Sequence, residues 1–185
     1  MTDVTITPIT EEQSILTKKI ATKIWGLLAE VADPEIPVIS ILDLGIVRDV
    51  VIQLSAKGDT VEGAIFITPT YSGCPAMDAI SLDIKFKLIE YGYKNIQVKT
   101  VLSPAWTTDW MSETGKEKLK AFGIAPPTQT QTVCNIKLFA EAEAIQCPLC
   151  NSYHTKLLSS FGSTACKALY QCKDCKEPFD YFKCH

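Results

Sequence analysis

Cys147-Pro148-Leu149-Cys150 and Cys172-Lys173-Asp174-Cys175 decide how the C-terminal end of this chain folds. A Cys-x-x-Cys turn converges its two sulfurs, so each knuckle offers a thiolate pair to one ion. Two such pairs make a closed tetrahedral site of the structural kind. Residues 151 to 171 between the knuckles are one residue longer than the usual spacing, which a ribbon absorbs. The segment is too short to fold on an apolar core of its own. The spacing therefore predicts a zinc ribbon over residues 145–185, with structural Zn²⁺ on Cys147, Cys150, Cys172 and Cys175. The competing readings are reduced, unliganded cysteine pairs and a redox dithiol. A redox motif expects a lone Cys-x-x-Cys beside a βαβ pattern, which is absent. His154 reads as packing against the ribbon. Cys166, Cys184 and His185 are additional soft ligands; they form either a second site or an inert buried thiol and a surface tail.

Outward from the knuckles, the cysteines thin abruptly. Of eight in 185 residues, only Cys74 and Cys134 precede residue 146. A dense terminal cluster without a secretory leader reads as metal binding in a reducing cytoplasm. Net charge is −3 with no basic run, which argues against nucleic-acid binding through phosphate neutralisation. No apolar run approaches bilayer-spanning length. Both a monomer and a homodimer remain open.

Residues 11–125 read as a compact α+β domain with helices packed on a small mixed sheet, in the order α-β-β-α-β-α. Ile20, Ile24, Leu27, Leu28 and Val31 predict an amphipathic helix from Glu11 to Val31, stopped by Asp33-Pro34-Glu35-Ile36-Pro37. Ile46 to Leu54 and Val61 to Thr68 predict a hairpin closed at Lys57-Gly58-Asp59. A loop then leads to Pro75, which suits a first helical position, and to a helix carrying Met77, Ile80, Ile84 and Leu88. Asn95 to Leu102 is a third strand, and a polar helix runs from about Met111 to Phe122. Residues 126–144 read as a linker with an edge strand around Val133 to Phe139.

Cys74 precedes Pro75 at a predicted helix start. Free N–H groups and the helix dipole favour a thiolate there, so the sequence predicts a lowered thiol pKa and a nucleophile or soft-metal ligand. Asp33 and Glu35 belong to a loop that such a fold brings close. The opposing reading makes Cys74 a turn residue and Asp33 a helix terminator. Trp106 and Trp110 flank a proline-containing loop, and form either a partner-binding surface or core plugs under the sheet.

Asp33-Pro34-Glu35-Ile36-Pro37, Asp43-Leu44-Gly45-Ile46-Val47 and Thr68-Pro69-Thr70-Tyr71-Ser72-Gly73-Cys74-Pro75 resemble the small domain of iron–sulfur assembly factors of the SufT type. Ser103-Pro104-Ala105-Trp106-Thr107-Thr108-Asp109-Trp110, the run from Phe161 to Tyr170 and the ending from Glu177 to His185 narrow this. Over residues 12 to 185 the chain resembles the PaaD (PaaJ) family of the bacterial phenylacetyl-CoA epoxidase system. The resemblance implies a role in aerobic phenylacetate catabolism, beside a di-iron oxygenase and a flavin and iron–sulfur reductase.

The chain itself has no helical Glu-x-x-His pair for a di-iron site and no Gly-x-Gly-x-x-Gly fingerprint. Two expectations follow. One is a maturation factor assisting iron or iron–sulfur insertion into the oxygenase or reductase, with Cys74 as transient ligand and Asp33 as its neighbour. The other is a stoichiometric structural subunit bridging oxygenase and reductase, with no chemistry of its own.

Overall fold

A computed structural model of the chain describes residues 11–55, 60–127 and 145–183. The expected edge strand near Val133, the hairpin tip at Lys57-Gly58-Asp59, and Cys134, Cys184 and His185 lie outside those residues.

Helix α1 (Glu11–Leu28) buries Ile24, Leu27 and Leu28. It ends three residues before the expected Val31, which instead pairs with the next loop. Ile41 N–H donates to Val31 O, and Asp33 N–H donates to Ile39 O. Strands β1 (Val47–Leu54) and β2 (Val61–Ile67) pair antiparallel. Helix α2 (Ala76–Glu90) then crosses over, and β3 (Asn95–Thr100) adds parallel to β2. The sheet order is β1-β2-β3, a small mixed sheet packed with helices.

After β3 the chain bends through a cis Ser103–Pro104 bond and a 3₁₀ turn at Thr108–Trp110. Helix α3 (Glu113–Ala121) follows, N-capped by Ser112, whose hydroxyl accepts from Gly115 N–H. Gly45 takes φ +68°, and a Cβ there would meet Trp110 O at 2.3 Å, so only glycine fits this close approach.

The second sheet begins where the first domain was expected to end. Strand β4 (Ile124–Ala125) pairs parallel with β7 (Pro178–Phe182), which pairs with β6 (Lys167–Cys172) and through it with β5 (Thr155–Ser159). The ribbon sheet runs β4-β7-β6-β5. Its own buried cluster includes Ala125, Ile145, Tyr170 and Phe179. Cys166 and Phe182, however, are buried in the core of the α+β half, among Ile24, Ile65, Ile80 and Trp106. The two halves share a strand pairing and a packed junction. Among the described residues, no helix is long and apolar enough to cross a membrane.

Candidate functional site

Two clusters of thiols occupy the two halves. In the ribbon, Cys147, Cys150, Cys172 and Cys175 place their sulfurs within 4.8 Å of one another. Each knuckle is followed by a residue in the left-handed region, Asn151 at φ 62° and Lys176 at φ 69°, which turns the chain back. Asn151 N–H then donates to Cys147 O, and Cys172 N–H to Glu177 O. Asp174 ties the two knuckles together by accepting from the Ser152 hydroxyl and meeting His154 Nδ1 at 3.0 Å. His154 thus braces the ribbon outside the sulfur cluster.

The donor set fits a tetrahedral divalent ion. Metal–sulfur bonds of about 2.3 Å would set sulfurs about 3.8 Å apart. Here Cys147 and Cys175 are 3.8 Å apart and Cys150 and Cys172 3.5 Å. Burial works against ionising Cys172, but the N–H groups of Cys175 and Asp174 and the Cys150 side chain bring it down to about 7. At Cys175 the Glu177 N–H works to lower the thiol, yet burial and the neighbouring sulfurs push it up to about 12. Four crowded sulfurs resist ionising together unless a cation offsets their charge.

The second cluster surrounds Cys74. The loop from Thr68 to Pro75 closes with Cys74 N–H donating to Tyr71 O, and Gly73 at φ +85° makes the turn. Pro75 occupies the N-cap of α2. The Asp33 loop is pinned across Ala32 and Ser40. Asp33 Oδ1 accepts from Glu35 N–H at 2.9 Å and Ile36 N–H at 2.8 Å, an Asx turn that fixes the carboxylate. An enclosed hollow of about 10 Å³, measured as space open to the centre of a water-sized sphere, is lined by Asp33, Glu35, Thr70 and Cys74. Cys166 from the ribbon lines it too.

The expected low pKa of Cys74 is overturned. Burial raises the thiol, and the Glu35 and Asp33 charges add to this; the Ala76 N–H and the Tyr71 side chain pull the other way but do not prevail. The helix start does supply a hydrogen bond, but in an enclosed, acidic hollow desolvation wins. Burial likewise raises Asp33, against the N–H groups of Ile36 and Glu35 and the charge of Lys167.

Trp106 departs from the expected contact surface. It is 3% exposed, donates from Nε1 to Leu44 O at 2.8 Å, and meets Phe182 edge-on at 6.1 Å. An indole that finds both a carbonyl and an apolar wall is better placed inside. Trp110 is half-buried, with the Arg48 guanidinium 3.3 Å over its ring.

Sequence reasoning grouped Cys166 with the ribbon's end. The structure buries it instead in the hollow that Cys74 lines. No local spacing carries that signal, because the neighbours lie far apart in the chain.

Known proteins resemble both halves. Residues 131–183 match the PaaD zinc beta ribbon domain, and residues 21–99 match the iron–sulfur cluster assembly protein family. The chain is 49% identical over 163 residues to a "Putative 1,2-phenylacetyl-CoA epoxidase" subunit of Escherichia coli (strain K12), covering 88% of this chain and 92% of that protein. It is 35% identical over 88 residues to an Fe-S protein maturation auxiliary factor of Porphyromonas gingivalis, covering 47% of this chain and 78% of that one. A solved domain of unknown function from Bacillus anthracis is 28% identical with a TM-score of 0.49, covering 57% of this chain and 96% of that chain.

Proposed function

The chain belongs to the PaaD family of phenylacetyl-CoA epoxidase subunits, and from that premise we propose that it is an accessory maturation subunit of the ring-epoxidase system. It assists insertion of iron or an iron–sulfur cluster into the oxygenase or the reductase. The observation that carries this reading is the enclosed hollow in which Cys74 and Asp33 meet. That hollow lies in a module whose relatives include an Fe-S protein maturation auxiliary factor.

The residues divide the work. Asp33 is held by the Glu35 and Ile36 N–H groups with one oxygen left over, so it is oriented before any cargo arrives. Cys74, hydrogen-bonded by Ala76 N–H and Tyr71, is the candidate transient thiolate ligand. The four knuckle cysteines hold Zn²⁺, which supplies a structural cross-link and no reaction. The protein acts in a reducing cytoplasm, where these thiols stay free.

Iron content of the partners tests the reading. In a strain lacking this protein, oxygenase and reductase should still be made but one should lack metal, the reductase cluster first and the di-iron site second. Chemical reconstitution with iron and sulfide should then restore turnover of phenylacetyl-CoA. The Escherichia coli relative is named as a subunit of the epoxidase, which favours one competing reading, a stoichiometric structural subunit bridging oxygenase and reductase. It predicts full metal in both partners and no turnover until this protein is added back.

A further inference from the structure

Cys166 belongs to the ribbon by sequence, just before β6, yet its side chain lies in the core of the α+β half, where Cys74 packs against the same cluster. The Cys166 thiol donates to Glu35 Oε2 at 3.8 Å and lies 3.0 Å from the Thr164 hydroxyl. It lines one hollow with Cys74, Asp33 and Glu35. Beside them Lys167, 5% exposed, keeps its ammonium 3.4 Å from Asp180. Its charge also reaches Asp33 and Cys166.

We propose that Cys74 and Cys166 are joint thiolate ligands of one divalent transition-metal ion at the junction of the two halves, with the Asp33 and Glu35 carboxylates as its oxygen donors. The inference rests on the maturation reading and names its cargo: a single ion of the ferrous class. The size of the closed hollow favours a single ion over a preassembled cluster. The hollow, about 10 Å³, takes about one water-sized body. Mixed sulfur and oxygen donors suit a borderline divalent metal.

Binding needs no oxidant. Two metal–sulfur bonds form as the two thiols lose their protons to solvent, and the metal keeps its charge of two. Two thiolates and two carboxylates overcompensate that charge, and buried Lys167 offsets part of the excess. Burial raises both thiols, so neither is a standing thiolate before the cation arrives. Among the described residues only the ribbon sulfurs already converge as a metal-sized cluster, so at the junction the ion has to draw its donors together. The ribbon is then the wall that closes the cargo site, and loading or release requires its edge to lift.

The test uses the full chain with its ribbon already filled by zinc, titrated anaerobically with cobalt(II) or ferrous ions. One further equivalent should bind, with thiolate-to-cobalt charge transfer. X-ray absorption at the iron edge of the unmodified chain should count two sulfurs on that ion. Cys166→Ala and Cys74→Ala should each weaken binding by about tenfold or more and each remove one sulfur. Retained zinc and an unchanged tryptophan emission, to which buried Trp106 contributes, show that the junction of the variant is intact. One sulfur or none in the unmodified chain overturns the proposal even where Cys166→Ala folds poorly. A folded Cys166→Ala variant that binds like the parent also overturns it. Either result leaves the maturation reading standing, because that reading falls only on full iron in both partners of a deletion strain.

Discussion

The Asp33 carboxylate accepts two backbone N–H groups and is still pushed up by burial, so its charge is held in the hollow against the preference of the fold. A carboxyl whose folded pKa is raised binds more protons folded than unfolded. Its burden is absent below the unfolded pKa and complete above the folded one, so stability falls as pH rises between them. Asp33→Asn keeps an oxygen for the Asx turn and removes the charge. The variant should melt at the same or a higher temperature than the parent at neutral pH, and lose that pH slope. Growth on phenylacetate should nevertheless fail. A variant that melts lower at neutral pH would show that the charge stabilises the fold, and one that supports full growth would remove the Asp33 charge from the function.

At the scale of elements, α3 is held by one residue of a distant loop. Asp43 accepts from Lys118 Nζ at 2.7 Å, from Ser40 N–H and hydroxyl, and from the Ser112 hydroxyl that also caps the helix. Burial alone would raise its pKa; the Lys118 ammonium first, then the serines, bring it down to about 2. A depressed carboxylate contributes stability above its unfolded pKa of about 3.9 and loses it as pH falls through the folded value. Asp43→Asn should therefore cost about 1 to 2 kcal/mol at neutral pH, less than the full shift, because solvent screens the Lys118 side of the pair. In urea melts near pH 2 the variant and the parent should converge. A constant difference across that interval would remove Asp43 as the titrating anchor. The helices and strands here are legible because local spacing encodes them; the Ser112 cap is seen only in the structure. The span from Met111 to Phe122 read from the sequence starts two residues before helix α3 and ends one after it.

For the whole molecule, the junction governs. Sequence spacing separates an α+β domain over residues 11–125 from a ribbon over residues 145–185. The pairing of β4 with β7, and Phe182 packed on Trp106 at 1% exposure, tie the halves together. Phe182→Ala should cost about 3 kcal/mol and undock the ribbon edge. Cys172→Ser should release the ribbon metal and also lower the urea midpoint of the helical signal. Helices that unfold at the parent midpoint after metal loss would mean that the halves are independent.

Sequence alone determined what short spacing controls. Two residues between cysteines bring two sulfurs to one point, and apolar residues every third or fourth position give a helix one buried face. Those outcomes depend on bonds within a turn or two. Tertiary structure decided which distant groups meet: Trp106 under Leu44, β4 against β7, and Cys166 against Glu35, a contact between residues 131 positions apart. It also reversed the expected ionisation of Cys74. A helix start favours a thiolate only when solvent or a cation shares the charge, and here burial beside Asp33 and Glu35 outweighs the dipole. Packing chooses among long-range contacts by filling space, and no local pattern records that choice.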